Sequence, residues 1–412
     1  MIQPKQRLFH SLLAGLFVVL GGLSAPASVA QPITGVQEIV SLSVPDCDGL
    51  DAGDIDGDGD LDLLVSASRE GTAFWFEQRD APTQWTKHPV FAADYEGPKI
   101  EGNALGDFND DGRLEGVSLD QRAARVLLHV AGEDPTEAWE TVALRTDRAI
   151  LQDALVEDLV GGDRPELIYT WEGDREGRGG VHVLQFTGED LLAPADWTDH
   201  TLVTHESTWW LAPRLFDLSG SGQQRDLVYT ARHLLDRNPG SRPGLFWLEA
   251  PEADGQWHRH TIDDRLPHPL HVDAGRLTEE GPPHDLVVSG FGVSQVYWYE
   301  GGADWTRHSL ALPPINGTEV GRVWNVETVP LPDRRRDAVL AISEADGASA
   351  MVLFQWTGRE FEPTTLKRLP YGHAMEDRIL CRDLIGDAMP ELIIADSGGA
   401  ALRIFQLTTS AD

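Results

Sequence analysis

The sequence predicts an all-β chain, a seven-bladed β-propeller of four-stranded blades, and three repeating features carry that prediction. The first is a short anchor that closes a strand: Gly53-Asp54-Ile55, Gly106-Asp107-Phe108, Glu157-Asp158-Leu159, Phe216-Asp217-Leu218, Gly275-Arg276-Leu277, Val329-Pro330-Leu331 and Arg382-Asp383-Leu384. Successive anchors lie 53, 51, 59, 59, 54 and 53 residues apart. The second is a short apolar strand soon after each anchor, as in Leu61 to Val65, Glu166 to Tyr169, Asp226 to Tyr229, Asp285 to Val288 and Glu391 to Ile394. The third is an aromatic pair of strands that completes the unit. Phe74-Trp75-Phe76-Glu77, Phe246-Trp247-Leu248-Glu249 and Tyr297-Trp298-Tyr299-Glu300 are followed by Trp-x-x-His runs ending at His88, His260 and His308, with a further one at His200. Four short strands in a unit of about fifty residues, joined by Gly, Asp and Pro turns, is the pattern of a propeller blade.

Residues 1–30 stand apart from the repeat. A cationic start (Lys5, Arg7), an apolar run from Leu8 to Leu20 and the small-residue end Ser28-Val29-Ala30 predict a secretory signal peptide cleaved after Ala30. The run is short for a membrane span, an uncleaved anchor being the alternative. No later stretch is apolar enough to cross a bilayer, so the expected location is secreted or periplasmic, with no integral membrane segment in the mature chain.

Residues 31–412 then form one domain, with blades beginning near residues 47, 99, 150, 208, 269, 321 and 376. The chain stops one strand short of a seventh blade, and Val36 to Leu42 reads as an orphan fourth strand. Adding it to the last blade closes the ring and removes the open edge. The formal net charge of -34 excludes a nucleic-acid partner, which needs a cationic face. Cys47 and Cys381 fall in neighbouring blades at different heights, as a disulfide or as two thiols. A monomer is expected.

The loop after the first anchor carries chemistry. Asp54, Asp56, Asp58, Asp60 and Asp62 alternate through a turn punctuated by Gly57 and Gly59. Oxygens at this spacing suit Ca²⁺, with Asp60 offering its backbone carbonyl. Position 12 of the loop is Val65 rather than the Glu of an EF-hand, and a strand follows where that motif begins a helix. In blade 2, Asp107, Asn109, Asp111, the carbonyl of Arg113, and Glu115 repeat the set. The later loops are eroded: blade 4 has Ser219 and Ser221 in place of acids, and blades 3 and 7 read as tight turns. About two structural Ca²⁺ sites are expected. The Trp-x-x-His pairs read as structural, because residues three apart on a strand point to opposite faces.

The repeated D-x-D-G-D-G-x-x-D loop entering a strand resembles the FG-GAP/VCBS repeat family, which includes the integrin α-subunit propeller and many secreted bacterial proteins. The Trp-x-x-His strands are similar to those of a bacterial and fungal subgroup that includes the propeller portion of aldos-2-ulose dehydratase. That likeness implies a sugar-related role, although the cupin part found with the dehydratase propeller has no counterpart here.

Function is expected at the opposite face from the calcium hairpins, where the loops entering the innermost strands surround the channel mouth. Those segments bring Lys99, Glu101, Asp153, Trp209, Trp210, His268, His271, Trp324 and Arg378, joined by Arg232 from a second-to-third-strand loop of blade 4. Arg forks suit carboxylates and Trp faces suit sugar rings. The reading is a binding module for a carbohydrate, neutral or anionic, or for a protein. The alternative is a sugar lyase or dehydratase, with His271 or His373 as base and Arg322 or Arg378 stabilising an enolate beside Asp377. The discriminator is whether a His, an Arg and a carboxylate meet in one pocket.

Overall fold

Runs of β-branched and aromatic residues with alternating burial, bounded by Gly, Asp and Pro, form strands along the whole chain. The structure, a computed structural model, describes residues 31–409 except 80, 147–150, 160, 161, 163, 172–177, 207, 211, 219–225, 234–242, 251–256, 279–284, 303, 333 and 373–377. The strands assemble into seven antiparallel sheets, one per predicted unit. Blade 1 shows the plan, with Cys47–Gly53 innermost, then Asp62–Ala67, Thr72–Gln78 and Trp85–Ala92 outermost. In blade 4 the innermost strand is broken into Thr208–Trp210 and Pro213–Phe216, so its sheet counts five pieces. Among the described residues no helix is long and apolar enough to cross a membrane.

Blade 7 is completed by the other end of the chain. Ile33–Ser43 pairs antiparallel with Ala401–Thr409, from Ile33 opposite Thr409 to Ser43 opposite Ala401. Blade 6 clamps the incoming strand: Ile33 N donates to Gln355 Oε1 and Gln355 Nε2 donates to Ile33 O, both at 2.8 Å.

The apolar core is divided among the seams. Each of the seven clusters of buried apolar residues joins two adjacent blades, and each seam holds one. Trp75, fully buried, packs with Leu105 and Trp139 of blade 2, and Trp298 packs with Val326 and Phe354 of blade 6. The third-strand tryptophans are therefore seam residues, as their spacing predicts. Close approach also fixes two glycines. A Cβ on Gly53 would lie 2.6 Å from Leu114 Cδ1, and one on Gly275 would lie 2.8 Å from Thr328.

The outer histidines cover those tryptophans. His88, His260 and His308 lie 4.7, 4.3 and 4.1 Å (ring centroids) from Trp75, Trp247 and Trp298. Each also reaches the Glu two residues beyond its Trp, at 2.7, 2.8 and 3.2 Å for Glu77, Glu249 and Glu300. Each histidine is thus occupied within its own blade. Cys47 and Cys381 remain thiols, with burial pushing the Cys381 group well up.

A second repeated device was not expected from the sequence. A buried acid opens every second strand or immediately precedes it: Asp62, Glu115, Glu166, Asp226, Asp285, Asp337 and Glu391. In five blades it accepts the amide just after the anchor position, from Ile55, Phe108, Leu159, Leu277 and Leu384, at 2.9 to 3.0 Å. In blade 4 Asp226 takes the amide of Ala250 (2.9 Å). Asp337 reaches sideways to the amide of Arg276 in blade 5 (2.8 Å), where the blade 6 anchor is Pro330. Burial alone would neutralise such acids, and it pushes Asp62 and Glu115 up to about 7 against the amides that favour their charge.

Two predictions follow from this packing. Asp285 accepts from Leu277 N, Thr278 N, Thr278 Oγ1 and Gly301 N, so Asp285→Ala should cost about 3 kcal/mol or more in urea unfolding. An unchanged midpoint would show that water satisfies those amides. Burial also depresses the imidazole of His129 to about 3. Unfolded, it takes a proton near pH 6.5, so its stabilisation is complete above that pH and declines as the pH falls towards the folded value. Between pH 6.5 and 5 the loss should be about 2 kcal/mol, read as a pH slope that His129→Gln lacks.

Candidate functional site at the channel mouth

The innermost strands do not run straight. Their pairing with the second strands slips between Cys47 and Leu50, Glu101 and Asn103, Leu151 and Ala154, Pro269 and Val272, and Val323 and Asn325. The break in blade 4 falls at the same height. A bulge bends its strand and re-aims a side chain. Here a ring of bulges lies at the end where each innermost strand enters, opposite the Asp-rich hairpins.

A cavity opens at this ring, lined by residues of six blades. Blades 1 to 3 supply Asp48, Glu101, Asn103, Gln152 and Asp153, and blades 4, 5 and 7 supply Arg214, His271 and Arg378. It is small, about 40 Å³, enough for a hydroxyl-sized group or a water or two and too small for a sugar ring. Asp153 is its electrostatic centre. Arg378 donates to Oδ1 (2.8 Å) and Arg214 to Oδ2 (2.9 Å), tying blades 3, 4 and 7 together across the channel. Burial opposes the charge on Asp153, but Arg214 and Arg378 outweigh it and hold the carboxyl below its ordinary range. His271 is 5% exposed, and burial together with the two guanidiniums depresses its imidazole to about 3.

The expected mouth residues divide into groups. Glu101, Asp153, His271 and Arg378 line the cavity, and Lys99 stands beside it in an ion pair with Glu101. Arg232 and Trp324 belong to a separate patch on the same face, built around Phe291. The guanidinium carbons of Arg232 and Arg322 lie 4.4 and 4.6 Å from the Phe291 ring centre. Arg322 also meets Glu344 (3.4 Å), to which Trp324 Nε1 donates (2.7 Å). His268 sits at the edge with φ 41° and accepts the Phe291 amide on its carbonyl. Trp209 and Trp210 lie in a strand whose side chains fall outside the described set, and His373 and Asp377 lie outside the described residues. The sequence suggests a mouth that gathers cations, but Lys99, Arg214, Arg322 and Arg378 each face a carboxylate.

Arg214 and Asn103 were missed, and a simple signal finds Arg214. It stands three residues before the blade 4 anchor, where blades 1, 5 and 6 have Asp51, Asp273 and Glu327. Arg214 lines the cavity itself, Glu327 and Asp273 act on its charge, and Arg378 acts on Asp51. Burial, then the neighbouring Asp273, pushes Glu327 well above the carboxylate range, and burial raises Asp51.

At the far face, oxygens of Asp54, Asp56 and Asp58 lie within 4.8 Å of one another. Oxygens sharing one Ca²⁺ at 2.3–2.6 Å stand no more than about 5 Å apart, so this set fits a calcium shell. Asp56 is raised by burial and by Asp58, Glu77 and Asp54, a repulsion that a cation would relieve. Asp62 turns inward, its two oxygens taken by the amides of Ile55 and Gln78 (both 2.9 Å). In blade 2, Asp107 and Asn109 both accept from Asp111 N (3.1 Å), Arg113 N donates to Asp111 Oδ1 (2.9 Å), and Glu115 turns inward to Phe108. The side chain of Asp60 takes no part in the Asp54, Asp56 and Asp58 group, which leaves its carbonyl as its expected contribution.

Residues 54–118 match the FG-GAP-like repeat family model. No curated protein matches the chain. Among solved structures, a chain of the crystal structure of BBS1N in complex with ARL6DN, soaked with lead, is similar at 14% identity, over 92% of this chain and 99% of that one, with a TM-score of 0.51. The Dos1 propeller is similar at 10% identity, over 91% and 95% of the two chains, with a TM-score of 0.50. At these identities the likeness is one of fold.

The Asp153 bridge yields a stability prediction. Asp153→Ala leaves two guanidiniums without their shared carboxylate and should cost about 3 to 5 kcal/mol, whereas Arg378→Gln, which leaves Asp153 paired to Arg214, should cost clearly less. Equal losses in denaturant titrations would mean that the two arginines do not share the load.

Proposed function

We propose that this propeller, with its FG-GAP-like repeat, is a calcium-stiffened, extracytoplasmic binding module that receives a carbohydrate at the channel-mouth face. One observation carries the reading. Carboxylate, amide, imidazole and guanidinium groups from six blades surround one small cavity, and an aromatic patch lies on the same face. Planar polar groups beside aromatic faces are the chemistry that holds a polyol, with hydroxyls bonded at the edges and the ring stacked. The cavity takes one substituent while the ring lies over the mouth. The FG-GAP-like propeller fold supports a binding or protein-interaction role in general, and the signal-peptide pattern of residues 1–30 supports export.

The convergence of His271, Arg378 and Asp153 is the observation that favours the lyase or dehydratase alternative. Two facts weigh against it. A base depressed to about 3 removes protons poorly near neutrality, and both guanidiniums are already engaged by Asp153. No comparison adds to the resemblance to the dehydratase propeller. Binding is the better reading.

Calcium should raise the melting temperature of EGTA-treated protein, by about 2.7 kcal/mol of stability per site at a hundredfold excess over Kd. Asp54→Ala should remove the blade 1 share, and a melting curve indifferent to Ca²⁺ would end the calcium reading. For the ligand, calorimetry against neutral and uronic oligosaccharides should show binding that Gln152→Ala and Arg322→Ala weaken about tenfold. Ultraviolet absorbance for unsaturated products, followed in parallel, should stay flat. Product formation lost in His271→Ala would favour the enzyme, and no heat with any glycan would leave a protein ligand.

A further inference from the structure

A buried polar chain crosses all four strands of blade 2, starting at the mouth cavity. Asn103, which lines the cavity, lies on the innermost strand, Ser118 on the second, His129 on the third and Thr141 on the outermost. Asn103, Ser118 and His129 are each 0% exposed. Ser118 Oγ stands 3.0 Å from His129 Nε2, and His129 Nδ1 stands 2.8 Å from Thr141 Oγ1. The Phe91 ring, 5.4 Å from the imidazole, helps to enclose it.

Only two proton orders satisfy this chain. In one, the Asn103 amide nitrogen donates to Gly102 O and Ser118 Oγ (both 3.2 Å) while its oxygen accepts from Ser66 N (3.1 Å). Ser118 must then donate to His129 Nε2, and the imidazole carries its proton on Nδ1 and donates to Thr141. In the other, Ser118 donates to Asn103 Oδ1 (3.2 Å), the Asn103 nitrogen reaches Gly49 O at a long 3.4 Å, and His129 carries its proton on Nε2. The first order makes three good bonds to Asn103 and also ties blade 2 to the Ser66 amide of blade 1. It uses both amide hydrogens and leaves one acceptor lone pair. The second leaves a spare N–H.

We propose that His129, acting through Ser118, is a positioning residue that locks the Asn103 amide in the first order, so that Asn103 turns no spare N–H towards the mouth cavity. Its neighbours there are the carboxylates of Asp48 and Glu101, the latter paired with Lys99. That side therefore takes hydrogen-bond donors from a ligand, hydroxyl or ammonium groups, and the guanidiniums of blades 4 and 7 face it from across the cavity. The consequence for ligand choice rests on the mouth being the binding site, whereas the locked amide does not.

The test is long-range ¹H–¹⁵N correlation of the imidazoles in the ¹⁵N-labelled protein, without any ligand. The expected result is a neutral His129 with its proton on Nδ1, the less common tautomer in water, unchanged between pH 5 and 8 at about the ordinary histidine range. The signal is assigned by its loss in His129→Gln. The Asn103 side-chain amide resonances should persist in His129→Gln, which can still bond Ser118, and should shift and exchange faster in His129→Phe. A proton on Nε2, or an imidazolium in that range, would overturn the proposal, and either is readable in the unmutated protein even where a variant fails to fold. Failure of oligosaccharides to bind would leave the tautomer untouched and count against the mouth reading alone.

Discussion

The carboxylate buried at the start of each second strand is the interaction on which the blade depends. The hairpin between the first two strands turns at the surface, but the amide just after its anchor is buried and has no strand partner. A neutral acceptor would satisfy it weakly, while a carboxylate satisfies several amides with charge-assisted bonds. The cost is desolvation of the acid, which the amides offset only in part. Once the hairpin is pinned, the first and second strands are held in register and the apolar residues beyond them face the next blade. The loop chemistry is free to vary as long as this acid stays. Blades 1 and 2 carry carboxylate-rich loops and blade 6 replaces its anchor with Pro330, yet all seven keep a buried acid.

Pinned hairpins set the geometry of the mouth. Because the core lies in the seams, each blade is positioned by its two neighbours, and the innermost strands converge on the axis. Straight strands would crowd there. The bulges at one height bend them away and turn polar side chains towards the axis, which explains how Asp153 meets arginines from blades 4 and 7. The stiff far face and the polar near face are two ends of the same strands.

Much of the architecture was legible in the sequence because it is local and periodic. Strand alternation, the anchors and the aromatic third strands gave seven blades, and the missing fourth strand of the last blade pointed to Val36 to Leu42. The seam role of Trp75 and Trp298 followed from the same spacing. The site was only half legible. Glu101, Asp153, His271 and Arg378 meet as their entry positions imply, but their pairing depends on which blades face each other across the channel. Arg232 and Trp324 separate from them for the same reason, drawn to Phe291 in the seam region between blades 5 and 6. The bulges, and with them Asn103, leave no mark in composition because they answer to ring closure rather than to propensity. The inward turn of Asp62 was hidden because an acid that binds metal and an acid that binds amides look alike in a sequence.

The clasp between Ile33–Ser43 and Ala401–Thr409 joins the two ends of the chain, and Gln355 grips Ile33 across a separation of 322 residues. A newly made chain has its first strand long before it has a partner for it. Until the last fifty or so residues are synthesised, the seventh blade and both seams that it seals do not exist, and their apolar faces stay exposed. The seams among blades 1 to 6 need none of that segment, so closure of the ring is the step that waits for the C-terminal end.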